Sequence, residues 1–127
     1  MKDLLKEFTP DFLAKSRYKI SVEKLLEGEE DALLLDVRSE EEVECMSIEE
    51  GLVHYPKIRY MHIPMNKLPE SVDQLPSDRE IFVFCRTTSR SAMVYAFLRV
   101  EGFKRVRLVD GGYVALLKKL VEQHGLF

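Results

Sequence analysis

A chain of 127 residues with 46% hydrophobic and 32% charged side chains suits one compact soluble domain that needs no covalent staples to hold a core. Its formal charge of −3 gives no reason to expect nucleic acid or an anionic membrane as partner, so any anion site must be built locally. No apolar run approaches the ~20 residues that span a bilayer, and the acids within Met1–Phe12 argue against a signal peptide. Cys45 and Cys85 form neither a CxxC pair nor a ligand cluster with the three histidines, so free thiols in a reducing cytoplasm are expected, with no metal and no cofactor.

In chain order, Asp3 to Lys15 spaces Leu4, Leu5, Phe8, Phe12 and Leu13 for a helix broken at Pro10. Residues 1–17 are therefore read as an N-terminal helical extension, packed on the body or on a second subunit, where it could support a homodimer. Residues 18–127 form the main domain. Tyr18 to Ile20 predicts a short strand, and Ser21 caps a helix Val22–Glu27 that Gly28 ends. Ala32–Val37 is a continuous apolar run, as in a strand buried on both faces. Ser39 with Glu42 makes a capping box for a helix reaching about Cys45. After an irregular stretch from Met46 to Tyr60 comes a strand over Met61–Ile63, then a short helix over Asn66–Leu75 interrupted near Pro69. Ile81–Phe84 is the clearest buried strand. Ser89–Gly102 carries Ala92, Met93, Ala96, Phe97 and Val100 as a helical stripe. Val106–Val109 is a further strand, and from Gly112 a last helix presents Leu116, Leu117, Leu120 and Val121. Short apolar strands alternating with amphipathic helices predict an α/β domain of parallel βαβ units with helices on both faces. In such a sheet the ligand site lies beyond the carboxyl ends of the strands, where Asp36 and Cys85 stand.

The segment Ile81 to Ser91 carries the chemistry. A thiol follows a buried strand, and a helix starts about four residues later, so successive backbone N–H groups and a helix N-terminus can gather around an anion. Arg86 and Arg90 add charge, and Thr87, Thr88 and Ser89 add hydroxyl donors. Surroundings of this kind stabilise a thiolate or a persulfide. The alternative for Cys85 is a small buried residue at a strand end. Cys45, on a short acidic helix, reads as structural. Arginine at a helix N-terminus opposes the helix dipole and so hints at a bound anion.

These pieces together resemble the rhodanese family over roughly Tyr18 to Leu120. Those that match are Leu34-Leu35-Asp36-Val37-Arg38 with the acidic Ser39–Glu42, His62-Ile63-Pro64, the Cys85 loop closing at Arg90-Ser91, and Asp110-Gly111-Gly112 before the last helix. The resemblance implies a sheet of about five mostly parallel strands. It also implies a sulfurtransferase in which Cys85 takes sulfane sulfur from a small sulfur-containing anion such as thiosulfate. The persulfide then passes that sulfur to cyanide, a thiol or a protein acceptor. In this reading Cys85 is the nucleophile, Arg86, Thr87, Thr88, Ser89 and Arg90 cradle its sulfur, and Asp36 with Arg38 supports them. Thr88 stands where family loops often have glycine, which predicts a reshaped or slightly strained loop. Two other readings compete. A cysteine phosphatase or arsenate reductase of similar fold carries five residues between cysteine and arginine, whereas four separate Cys85 from Arg90 here. A non-catalytic rhodanese-like module would bind a protein partner or sense oxidants.

Overall fold

The computed structural model describes residues 1–28 and 30–125. Five strands, β1 (Lys19–Ile20), β2 (Ala32–Asp36), β3 (Ile58–His62), β4 (Glu80–Phe84) and β5 (Val106–Val109), form one parallel sheet in the order β1-β5-β4-β2-β3. Side chains alternate between its faces. Ala32, Leu34, Phe82 and Phe84 enter one core with Leu25 and Leu26 of α3 (Val22–Glu27), and with Ile48 and Leu52. Leu33, Leu35, Ile81 and Val83 enter the other core with Leu68, Val94 and Leu98. A strand buried on both faces must be apolar at every position, and this is why β2 and β4 read as unbroken runs. Each fully buried leucine of β2 contributes roughly 1.5–3 kcal/mol through lost water contact.

Local signals explain the helix ends. Ser21 Oγ accepts the Lys24 N–H, and Gly28 closes α3 in the left-handed conformation. The short helix α4 (Glu40–Cys45) starts at a complete capping box between Ser39 and Glu42. At the N-terminus α1 (Lys2–Lys6) and α2 (Pro10–Lys15) are separate pieces, with Thr9 capping the second. This segment packs on the chain's own body. Phe8 meets Phe12, Tyr18 and Tyr95 at ring separations of 5.0, 5.5 and 6.2 Å, and both Glu7 carboxylate oxygens lie 2.9 Å from Arg99 Nη2.

Three expectations need correction. The third strand spans Ile58–His62 rather than Met61–Ile63, because it pairs residue for residue with β2 from Ala32↔Ile58 onward. As an edge strand it fully buries only Ile58, which left it without an apolar run. The Asn66–Leu75 region is not one helix broken at Pro69. Proline sits in the first turn of the short α5 (Leu68–Ser71), flanked by single 3₁₀ turns at Met65–Lys67 and Val72–Gln74. The long helix α6 (Ser89–Val100) buries Ser91, Val94, Tyr95 and Leu98, while Met93 and Val100 of the expected stripe face outward. The last helix, α7 (Gly112–His124), buries Gly112, Leu116 and Leu120. Among the described residues no helix is long and apolar enough to cross a membrane.

Candidate active site

Strands β2 and β4 are neighbours with Asp36 opposite Phe84, so the next residues, Val37 and Cys85, leave the sheet side by side. The Val37 N–H donates to the Phe84 carbonyl at 2.9 Å. Beyond β2 the chain heads for the face holding Ile48 and Leu52, and beyond β4 for the face holding α6. The two connections diverge, which opens a crevice at the carboxyl edge where strand order reverses.

Cys85 lies at this edge, only 1% exposed, and both cysteines are free thiols. Its Sγ is 3.3 Å from Ser91 Oγ, which is itself 3.2 Å from the Thr88 carbonyl. One hydroxyl proton serves two neighbours. With a thiol at Cys85, the S–H can donate to Ser91 while Ser91 donates to Thr88; with a thiolate or persulfide, the Ser91 O–H can swing to donate to sulfur. Around them, none of the backbone N–H groups of residues 86–91 meets a backbone or side-chain acceptor among the described residues. Thr88, at the N-cap of α6, supplies no side-chain cap. A short loop feeding a 12-residue helix thus keeps a run of donors for a bound anion.

Arg86, Thr87 and Ser89 of the expected cradle are exposed, and Thr88 is half-buried. The strain expected at Thr88 does not arise, since its φ is −131°. The positive φ falls instead on Gly112, at +56°. A Cβ there would lie 2.4, 2.6 and 2.7 Å from the carbonyl oxygens of Thr87, Arg86 and Cys85. The neighbouring Tyr113 N–H donates to the Cys85 and Arg86 carbonyls at 3.0 and 3.1 Å. Gly112 therefore lets α7 seize the loop from behind, a role that a turn alone does not require.

Arg90, proposed from the sequence as part of the cradle, also has an acidic partner within the chain. Its guanidinium forms a two-pronged ion pair with Glu42 of α4, with Nη2 to Oε2 at 2.8 Å. The hydrogen bond from Arg90 pulls the Glu42 carboxyl down to about 2 against its burial, and the same bond holds the Arg90 pKa above its ordinary value. Glu42 thus supplies a counter-charge to the arginine at this helix N-terminus. Arg86 is left as the loop's one cation without an ion pair among the described residues.

Asp36 and Arg38 are both fully buried and paired at 2.8 Å, with further Arg38 Nε bonds to the carboxylate at 3.0 and 3.2 Å. Burial pulls the Arg38 pKa down, but the hydrogen bond and charge of Asp36 outweigh it, so the guanidinium stays protonated. Tyr60 Oη donates to Asp36 at 2.6 Å, and burial followed by this bond raises the Tyr60 pKa. Arg38 Nη1 reaches the Met46 carbonyl at 2.8 Å, and the Arg38 carbonyl contacts His62 Nε2 at 2.7 Å. The guanidinium also lies 5.1 Å from both the Phe84 and Tyr113 ring centres. This pair props the crevice walls and is fully occupied in doing so. Sequence reasoning missed Ser91, Glu42, Tyr60, Gly112 and Tyr113 as site residues. Only Ser91, one helical turn beyond the loop, left a readable signal in its spacing from Cys85.

Beside the loop lies a cavity of about 330 Å³ lined by Val37, Ser39, Pro64, Met65, Asn66 and Arg90. A roomier one of about 420 Å³, near Ile81 and Phe103, sits at the opposite end of β4 and takes no part in the site.

Comparison with known proteins agrees with this geometry. The family model described as "Rhodanese-like domain" matches residues 20–119. A sulfurtransferase of Allochromatium vinosum is 30% identical over 106 residues, covering 84% of this chain and 86% of that protein. YtwF of Bacillus subtilis is 35% identical over 95 residues, covering 75% and 82% respectively. Among solved structures, a rhodanese-related protein from Thermoplasma volcanium superposes with a TM-score of 0.66 at 27% identity, covering 80% of this chain and 91% of that one.

Proposed function

The chain belongs to the rhodanese-like domain family, and from that premise we propose that it is a cytoplasmic sulfurtransferase whose Cys85 carries sulfane sulfur. The observation that carries this reading is a buried thiol at a strand end, beside a loop whose N–H groups have no acceptor within the described chain. The names of its relatives support the same class of activity.

In the first half-reaction the Cys85 thiolate attacks the outer sulfur of a donor such as thiosulfate. The donor's S–S bond breaks, its electron pair leaves with sulfite, and Cys85 holds a persulfide. In the second half-reaction a thiol or cyanide attacks the outer persulfide sulfur, and the electron pair returns to Cys85 as thiolate. The protein contributes electrostatics and position. Donors of the loop face charge that moves between two sulfurs, Ser91 can redirect its single proton toward whichever anion is present, and Arg86 can meet the donor's charge. With Arg90 neutralised by Glu42 and only four residues between it and Cys85, the loop suits a single transferred sulfur better than a tetrahedral phosphoryl group.

Intact-mass measurement after incubation with thiosulfate tests the proposal. A gain of one sulfur mass, reversed by reductant and absent from a folded Cys85→Ser variant, is expected. A folded wild-type protein that gains nothing would point to a binding or redox-sensing module instead, and turnover retained in Cys85→Ser would remove this cysteine from the mechanism.

A further inference from the structure

Between the N-terminal segment and the amino ends of β4 and β5 lies a polar cleft of about 320 Å³. We infer that it is a second anion site, for a small molecule carrying a diphosphate group. Glu80 opens β4 and Cys85 follows its last residue, so the cleft stands roughly 16 Å along the strand from the thiol. The inference goes beyond the sulfurtransferase reading and does not depend on it.

The lining is cationic on a chain whose formal charge is −3. Arg17, Arg99, Lys104, Arg105 and Arg107 line the cleft together with two carboxylates, Glu7 and Glu80, which leaves an excess of three positive charges. Glu30, outside the lining, approaches Arg105 at 3.3 Å and reduces that excess to two. Three of the cations are fixed in place. Arg99 donates to Tyr95 Oη at 3.1 Å and to both Glu7 oxygens at 2.9 Å. Arg105 donates to the Asp78 carbonyl at 3.2 Å, and Arg107 reaches Glu80 at 3.5 Å. Arg17 and Lys104 are exposed and make no ion pair among the described residues. Arg17 follows Ser16, which ends α2 at a φ of 51° and is the one non-glycine described residue at positive φ. Such strain persists where the surroundings fix it, and here it delivers an arginine to the cleft. Like charges gathered in a cleft concentrate their field there and draw in an opposite charge.

The excess and the residue types select the ligand. A carboxylate brings a single charge, and a single phosphoryl group brings about −1.5 to −2 at pH 7. Two joined phosphoryl groups match the two or three positive charges in excess. Four of the five cations are arginines, whose planar forks pair donors with phosphate oxygens. Arg17 and Lys104 meet the oxygens directly, while the three anchored arginines supply field. A volume of about 320 Å³ is at the small end of ligand sites, which suits a small molecule, and the chain's net negative charge disfavours a nucleic acid.

The test is an amide-resonance titration of the whole chain with inorganic pyrophosphate and, separately, with ADP, with sulfate at matched ionic strength as control. Saturable shifts are expected at Arg17 and over Lys104–Arg107, with sulfate much weaker. Each of Arg17→Gln and Lys104→Gln should raise the Kd by roughly threefold, and the double variant by roughly tenfold. Neither side chain is paired, so the melting temperature without ligand and the rate of persulfide loading should stay unchanged. Tighter binding of ADP than of pyrophosphate would assign the site to a phosphate ester; the reverse would assign it to the inorganic ion. The site is overturned if neither probe gives saturable shifts, if the shifts are confined to residues 86–91, if sulfate does as well as pyrophosphate, or if the folded double variant keeps the wild-type Kd. Sulfur loading of Cys85 is measured separately, and its failure would leave this site standing.

Discussion

Replacing Gly112 by alanine should damage the loop from a distance. The new Cβ would stand 2.4 Å from the Thr87 carbonyl oxygen, about 1 Å inside ordinary van der Waals contact, and would crowd the Arg86 and Cys85 carbonyls as well. All three obstacles are backbone, so no flexible side chain can swing away. Holding alanine at a φ of +56° costs of order 1–3 kcal/mol. If the loop retreats, the two Tyr113 N–H contacts lengthen, with a net loss of about 1 kcal/mol. Together these place the loss of stability on the order of 3 kcal/mol, measurable as a shift in urea midpoint at constant slope. Gly111→Ala is the control: its φ is also positive, at +81°, but its Cβ meets only the Ala115 side-chain methyl, at 2.7 Å. The Gly112 variant should therefore lose far more of its persulfide-loading rate than the Gly111 variant at equal folded fraction. Equal loading rates in the two variants would refute the claim that α7 shapes the loop.

Other substitutions probe the polar groups. Asp36→Asn leaves the Arg38 guanidinium buried without its counter-charge and should cost about 3–5 kcal/mol in denaturant unfolding; a loss under 1 kcal/mol would show that Tyr60 and Met46 suffice. Glu42→Gln tests the Arg90 pair by its pH dependence. Because the folded carboxyl titrates at about 2, below its ordinary value of 4.5, the stability it contributes is present above pH 4.5 and is lost as pH falls toward 2. The wild type should thus exceed the variant by about 1 kcal/mol at pH 6, a modest figure for a partly exposed pair, and the two should converge at pH 2–3; a gap independent of pH would mean that charge is not the cause. Ser91→Ala removes the hydroxyl beside Cys85 and should slow iodoacetamide alkylation of the thiol at pH 7 by about tenfold, with little change in melting temperature; an unaltered alkylation rate would dismiss the proton swing.

What could be read in the sequence follows from how local each determinant is. Strands β2 and β4 and the cap of α4 were legible, because burial on both faces forces an unbroken apolar run and Ser39 with Glu42 announces its own helix. Strand β3 was misplaced because an edge strand needs only a partner's backbone. The buried face of α6 was misread because apolar side chains surround that helix, leaving the stripe without contrast. The position of Cys85 between a buried strand and a helix was legible. The Arg90–Glu42 pair was not, since Glu42 lies 48 residues earlier and meets Arg90 only once β2 and β4 are paired. Gly112 looked like a turn, and only the backbone approach to Thr87 reveals the space it leaves.

The Asp36–Arg38 pair also constrains how such a protein can diverge. Tyr60, Met46, Phe84 and Tyr113 all converge on these two side chains, so a mutational path that changes one partner first must cross an intermediate lacking several kcal/mol, a large share of a typical domain's margin. Met65 and Asn66, by contrast, are partly or largely exposed and carry no buried charge. Drift can change these surface residues freely while the buried frame beside Cys85 stays locked.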